Sequence, residues 1–275
     1  MATGEEPLVL VTPKAGATWV TLNQASRHNC LNPPLIGALG NVLQEALASE
    51  PVAVVLAARG PSFSTGGDLK GFLAHADDPA ELRDYSFGLV DGLHRAVKDL
   101  VACPVPVIAR INGPITGGSL GLMLAADLVV MAETAFVRPY YVELGFAPDG
   151  GWTALLPERI GPAAAARIQL LNQRIDAPEA LRLGLVDEVV AESELDSVVC
   201  GWVAALASKE RESLRTTKRL IWDAARRERI ATRLDAERDA FVALIGRAEV
   251  RERLTRAAGD LKALDSDQGA QRPGG

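Results

Sequence analysis

Two glycine-rich turns constrain this chain more than any other feature: Phe63-Ser64-Thr65-Gly66-Gly67-Asp68-Leu69-Lys70 and Asn112-Gly113-Pro114-Ile115-Thr116-Gly117-Gly118-Ser119. Each follows a continuous apolar run, Val52–Leu56 and Val105–Ala109, of the kind that forms a strand buried on both faces. Each also leads into a stretch that can open a helix, where backbone N–H groups have no carbonyl to pair with and can hold negative charge. Two such turns converging on one point would make a two-donor cradle for a developing oxyanion. The chemistry implied is that of a carbonyl becoming an enolate or a tetrahedral adduct.

The strand–turn–helix unit repeats, which predicts an α/β fold of stacked units with loops gathered at one end. Leu8–Val11 and Thr18–Leu22 read as a hairpin-like opening around Pro13–Gly16. Helical spacing of Leu35, Leu39, Val42, Leu43, Ala46 and Leu47 follows Asn32-Pro33-Pro34, with Asn32 as N-cap. Residues 71–100 are helical by pattern but carry Gly71, His75-Ala76-Asp77-Asp78-Pro79 and Gly88, predicting a broken, mobile segment over the site. A helix from Ser119 to Ala126 precedes a strand at Leu128–Met131. Beyond Ala163 strand signals nearly vanish. A short helix opens at Pro178 and stops at Gly184, and Leu185–Val190 is strand-like. Residues 193–222 and 228–263 read as long amphipathic helices that pack on something. The polar Gly/Pro-rich end, Asp265–Gly275, reads as disordered. The division expected is a core at 1–195, a helical region at 196–264 and a tail at 265–275.

At 275 residues the chain can bury a full core. Its net charge of −6 supplies no field for nucleic acid or anionic lipid. Cys30, Cys103 and Cys200 are isolated, without CxxC spacing, and read as buried or semi-buried thiols of a reducing compartment. No His/Cys cluster suggests a metal, and His28, His75 and His94 read as surface or loop residues. The acidic N-terminus has no apolar leader segment, and the longest apolar stretch, Leu120–Met131, is interrupted by Asp127. A cytoplasmic protein is the expectation.

Arg27-His28-Asn29-Cys30-Leu31-Asn32, the first glycine turn and Pro104–Asp127 are the first pieces that resemble a known family. Further along come Leu144-Gly145-Phe146-Ala147-Pro148-Asp149-Gly150-Gly151, Ala180-Leu181-Arg182-Leu183-Gly184-Leu185-Val186, and Lys218 in a late helix. Together, in this order and from about Val9 to Ala258, they resemble the crotonase (enoyl-CoA hydratase/isomerase) superfamily. The resemblance implies a ββα spiral core with a C-terminal helical trimerisation region, assembly as a homotrimer or hexamer, and an acyl-CoA thioester substrate. Coenzyme A would be part of that substrate, with no separate cofactor and no metal, nucleic-acid or membrane partner.

Carried over residue by residue, the oxyanion donors are the N–H groups of Gly67 and Gly118. Ser64, Gly66, Asp68 and Leu69 line the path of the CoA adenine, and Arg27, Lys70, Gly117 and Tyr141 belong to the same substrate-binding surface. A neighbouring subunit's Lys218 or Arg219 could meet a CoA phosphate. The family's hydratases use two glutamates, and the matching positions here are Gly121 and Tyr141. Glu143 stands two residues from the second and could serve only after a local shift. Asp149 matches the place where several Δ3,Δ2-enoyl-CoA isomerases carry their single acid/base. A 1,3-proton shift needs only one such group, whereas hydration usually divides the work between two.

The implied function is therefore an enoyl-CoA isomerase using Asp149. The alternatives are a hydratase or other CoA-thioester lyase or hydrolase with non-standard residues, and a non-catalytic acyl-CoA-binding homologue. For Asp149 the bland role is helix capping, and for the glycines it is tight turns. Gly117-Gly118-Ser119-Leu120-Gly121 also satisfies the G-x-S-x-G elbow of serine hydrolases. All three histidines precede Ser119, so the usual Ser–acid–His order cannot form.

Overall fold

Ala15 and Gly16 both take positive φ, 53° and 85°, the backbone that joins two antiparallel strands through a two-residue turn. In the computed structural model, which describes residues 6–256, they connect β1 (Val9–Lys14) to β2 (Ala17–Leu22). The strand runs through Pro13, so the turn is tighter than the sequence suggests. Asn32 caps α1 (Pro33–Ala46) by accepting the Leu35 amide at 2.9 Å. The fully buried β3 (Val54–Ala58) leads through the first glycine turn into α2 (Leu69–Ala74).

The helical break expected across 71–100 is confined to residues 75–78. There Asp78 caps a continuous 24-residue helix, α3 (Pro79–Ala102), with Pro79 in its first turn. Gly88 and Gly92 lie inside it, and a Cβ on Gly92 would come within 2.8 Å of Ile36 on α1. Of the glycines that look like breakers, Gly88 has open space around it, while a Cβ on Gly71 would strike Tyr85 on α3.

Next come β4 (Val107–Ile111), the short β5 (Ile115–Thr116), a 3₁₀ turn at Gly117–Ser119 and α4 (Leu120–Leu124). They are followed by β6 (Leu128–Ala132), β7 (Phe136–Arg138), α5 (Tyr141–Leu144), α6 (Leu156–Ile160) and α7 (Pro162–Leu170). β8 (Ile175–Asp176), α8 (Ala177–Arg182) and β9 (Glu188–Val190) complete the sheets. The main sheet has the order β1-β2-β3-β4-β6-β9, parallel apart from the opening hairpin, and β5-β7-β8 form a second small sheet. Because β3 and β4 are parallel neighbours, the turns that follow them emerge side by side.

The first long helix expected near the C-terminus divides into α9 (Leu195–Ala207) and α10 (Arg211–Ile221), where Glu210 caps the second piece. α11 (Ala224–Ile245) ends at Gly246, and residues 248–256 are again helical. α9 lies on β4 and β6, while α11 packs along α3. One contiguous apolar core therefore runs from Val9 to Leu254. The three cysteines are free thiols, buried or half-buried, as expected. The tail at 265–275 lies outside the described residues.

Candidate active site

The first glycine turn is bound to the second through Ser64. Its amide donates to the Pro114 carbonyl at 3.2 Å, and its own carbonyl accepts from Thr116 N–H and Ser119 Oγ–H, both at 3.1 Å. Its hydroxyl donates to Asn29 O at 2.7 Å and receives the Gly66 amide at 3.3 Å. All the polar atoms of Ser64 are thus engaged within the protein, and the residue works as a brace. Gly66 has φ of +77°, and a Cβ there would sit 2.7 Å from the Thr116 carbonyl oxygen. Only glycine lets the turns approach so closely.

Leu31 pairs in parallel with Gly67 through two bonds, Leu31 N–H to Gly66 O at 2.7 Å and Asp68 N–H to Leu31 O at 3.1 Å. Both bonds belong to the residues flanking Gly67, so its own N–H takes no part in the bridge. On the second turn, the Gly118 N–H lies at the start of the 3₁₀–α4 segment, ahead of any carbonyl that could accept it within the helix. The arrangement brings the two sequence-predicted donors onto adjoining loops.

Gly121, four residues into this segment, explains itself sterically. A Cβ there would be driven into the Gly150 carbonyl oxygen. No side chain, and so no glutamate, fits this position without moving the backbone. Tyr141 occupies the other hydratase position, and its hydroxyl donates to the Asp149 carboxylate while lying 3.1 Å from the Asp149 carbonyl. Glu143 is exposed and held at the surface by Arg138 and Asn172.

Asp149 is the carboxylate that reaches the second turn. Its two oxygens lie 2.9 and 3.0 Å from the place where a Cβ on Gly118 would stand. Only 7% of the residue is exposed, and its pKa is pushed up to about 7. Burial is the main cause; the Tyr141 bond opposes it and the Glu237 charge adds to it. Tyr141, buried beside this carboxylate, keeps its phenol proton far above the usual range. Asp149 does not cap a helix: the next one, α6, begins at Leu156 with Leu155 in the capping position.

Apolar surfaces close the rest of the site. Phe72 would lie 3.1 Å from a Cβ on Gly67, and its ring meets Tyr85, Phe146 and Phe241 at 5.7, 6.2 and 5.9 Å between centroids. Trp152 is fully buried, and its indole N–H donates to the Gly117 carbonyl at 2.8 Å. Arg27 and Lys70 are exposed at the rim of the first turn, Arg27 pairing with Asp68 at 2.9 Å. Leu69 is half-buried beside them.

Two expectations change. Lys218 is buried, bonding Val105 O at 2.9 Å and Asp127 at 2.7 Å, so it is occupied within its own chain. His94, expected at the surface, is fully buried on α3, and its Nε2 accepts the Gly150 amide at 2.9 Å. Ser119 is no nucleophile: its hydroxyl faces the Ser64 and Thr116 carbonyls.

Glu237 was not singled out from the sequence, yet it meets the same turn. From α11 it accepts Gly151 N–H at 2.7 Å, Thr153 N–H at 2.5 Å, Thr153 Oγ1–H at 2.6 Å and Ala154 N–H at 2.9 Å. Its sequence signal is helical phase. Ile230, Leu234, Phe241 and Ile245 form the buried stripe of α11, and Glu237 falls on it. Among the described residues, no group of three or more His, Cys, Asp or Glu could hold a metal, and no helix is long and apolar enough to cross a membrane.

Comparison with known proteins bears on the family and the fold. The chain matches the enoyl-CoA hydratase/isomerase family model over residues 12–262. It is 32% identical to a probable enoyl-CoA hydratase of Mycobacterium bovis, covering 84% of this chain and 82% of that one. It is 27% identical to the peroxisomal enoyl-CoA delta isomerase 3 of Mus musculus, covering 78% and 66% respectively. The crystal structure of an enoyl-CoA hydratase from Bacillus halodurans superposes with a TM-score of 0.85, at 25% identity over 90% of this chain and 99% of that one. With the fold, both glycine turns and the family match in agreement, the chain belongs to the enoyl-CoA hydratase/isomerase family and has the crotonase fold.

Proposed function

We propose that this protein is an enoyl-CoA isomerase in which Asp149 is the single acid/base and the N–H groups of Gly67 and Gly118 hold the thioester oxygen. The observation that carries this reading is the placement of one buried carboxylate against Gly118 while Gly121 has no room for a second. Ionised Asp149 takes a proton from C2 of a 3-enoyl-CoA, and the electron pair moves into the conjugated system to give a dienolate. The negative oxygen is stabilised by the two N–H donors. Protonated Asp149 then returns its proton to C4, leaving the 2-enoyl-CoA and the ionised carboxylate. A pKa of about 7 suits both halves of this exchange near neutral pH.

Arg27 and Lys70 supply exposed positive charge at the rim, where the CoA moiety would enter beside Asp68 and Leu69. Assembly as a homotrimer or hexamer goes with this reading, and a stable monomer in sedimentation would refute it. The reaction itself is tested with 3-enoyl-CoA and crotonyl-CoA. Isomerisation is expected to fall by about 10²–10⁴ in Asp149→Asn. An unaffected variant would remove Asp149 from the mechanism, and rapid hydration of crotonyl-CoA by the wild type would make the protein a hydratase.

A further inference from the structure

Gly150 and Gly151, the two residues after Asp149, have φ of +67° and +93°. Both amides are captured by side chains from distant helices. Gly150 N–H goes to His94 on α3, and Gly151 N–H to Glu237 on α11. We propose that Glu237 is a positioning residue: a buried anion that fixes the Asp149 turn through its amides and brings a negative charge to the side of the turn that holds the acid/base. The proposal rests on the assignment of Asp149 as the acid/base.

The ionisation of Glu237 follows from its partners. Three of its four hydrogen bonds come from backbone N–H groups, which cannot accept a carboxylic acid proton, and the fourth is donated by the Thr153 hydroxyl. Burial pushes its pKa upward, and these four donors oppose that. His94 does not neutralise it. The His94 Nε2 lies 3.9 Å from Glu237 Oε2 but already accepts the Gly150 amide, so its ring proton sits on Nδ1. Burial, with Lys98 and Arg238 in support, lowers the His94 pKa to about 3 and keeps the ring neutral.

The charged and titratable groups around the pair come from every neighbouring element. Tyr141 faces Asp149 from α5, and His94, Asp91 and Lys98 stand on α3. Arg238 on α11 is occupied by Asp91 at 3.0 Å and by Asp235 at 3.1 Å. None of these cations contacts Asp149 or Glu237 among the ion pairs of the described residues. A negative charge at Glu237 therefore acts on Asp149 through a water-poor interior, where screening is weak.

The decisive variant is Glu237→Gln, read through the acid limb of kcat/KM for isomerisation. Loss of the charge is expected to move this limb to lower pH by about 0.5–1 unit, with kcat reduced at least about tenfold. Glu237→Asp keeps the charge, so the limb should remain close to its wild-type position. A limb that stays put in folded Glu237→Gln would overturn the proposal even when Asp149→Asn is inactive. If Asp149→Asn retains activity, the assignment of Asp149 has failed instead. Should Glu237→Gln not fold, ¹³C-carboxyl NMR of the wild type decides: Glu237 is expected at its ionised shift throughout pH 6–8. A protonated Glu237 in that range would overturn the proposal.

Discussion

The two glycine turns are built from the same local device, yet their surroundings differ. The first sits at the rim, with exposed Arg27 and Lys70 beside it and the ring of Phe72 over Gly67. The second is buried between α3 and the Asp149 turn, and rigid backbone blocks a side chain at Gly121 and at Gly150. The first donor is flanked by an aromatic ring, whereas the second has the Asp149 carboxylate beside its Cα. Glycine-rich sequence alone does not separate these two jobs. What a Cβ would meet at each donor does: the Phe72 ring at Gly67, and Leu93 with the Asp149 carboxylate at Gly118.

The sharpest way to break this contrast is to add atoms to the second turn. Gly121→Ala is expected to destabilise the fold by ~3 kcal/mol and to abolish isomerisation, as measured by urea unfolding and steady-state assay. Gly121→Glu, which restores the hydratase residue type, is expected to yield no hydratase for the same reason. A stable, hydrating Gly121→Glu protein would contradict the steric account.

Acid and base offer a second test. The folded pKa of Asp149 is raised above its unfolded value, so its penalty is absent below about pH 4 and grows as pH rises towards about 7. Asp149→Asn should therefore be more stable than wild type at pH 8, by about 2–4 kcal/mol, with the gap closing towards pH 4. The smallest effect belongs to the rim. Arg27→Met is expected to raise KM a few-fold with kcat unchanged and to alter stability by less than ~1 kcal/mol, since an ion pair whose arginine is solvated contributes little.

Much of this architecture was legible because it rests on local rules. Alternation and continuous apolar runs marked the strands, Asn32 marked the start of α1, and the doubled glycines marked the turns. Gly71 and Gly88 misled for different reasons: a Cβ on Gly71 would strike Tyr85 of α3, a tertiary contact, whereas Gly88 lies within α3 with open space around it. Asp149 was found through its position in a motif, but its proximity to Gly118 depends on a 31-residue separation that no local pattern encodes. His94 looked like a surface residue because a lone histidine carries no periodic signal. Glu237 could have been noticed as a carboxylate on the apolar stripe of α11, a conflict that points either to misplacement or to a buried acceptor task.

The contact between α11 and the Asp149 turn also has a temporal meaning. Glu237 lies 86 residues beyond Gly151, so the turn's amides find this acceptor only after nearly all of the chain has been synthesised. On the mechanism proposed above, catalytic competence then requires the last long helix to be docked along α3. A ribosome-bound or C-terminally clipped chain could hold its sheet and both glycine turns and still be silent.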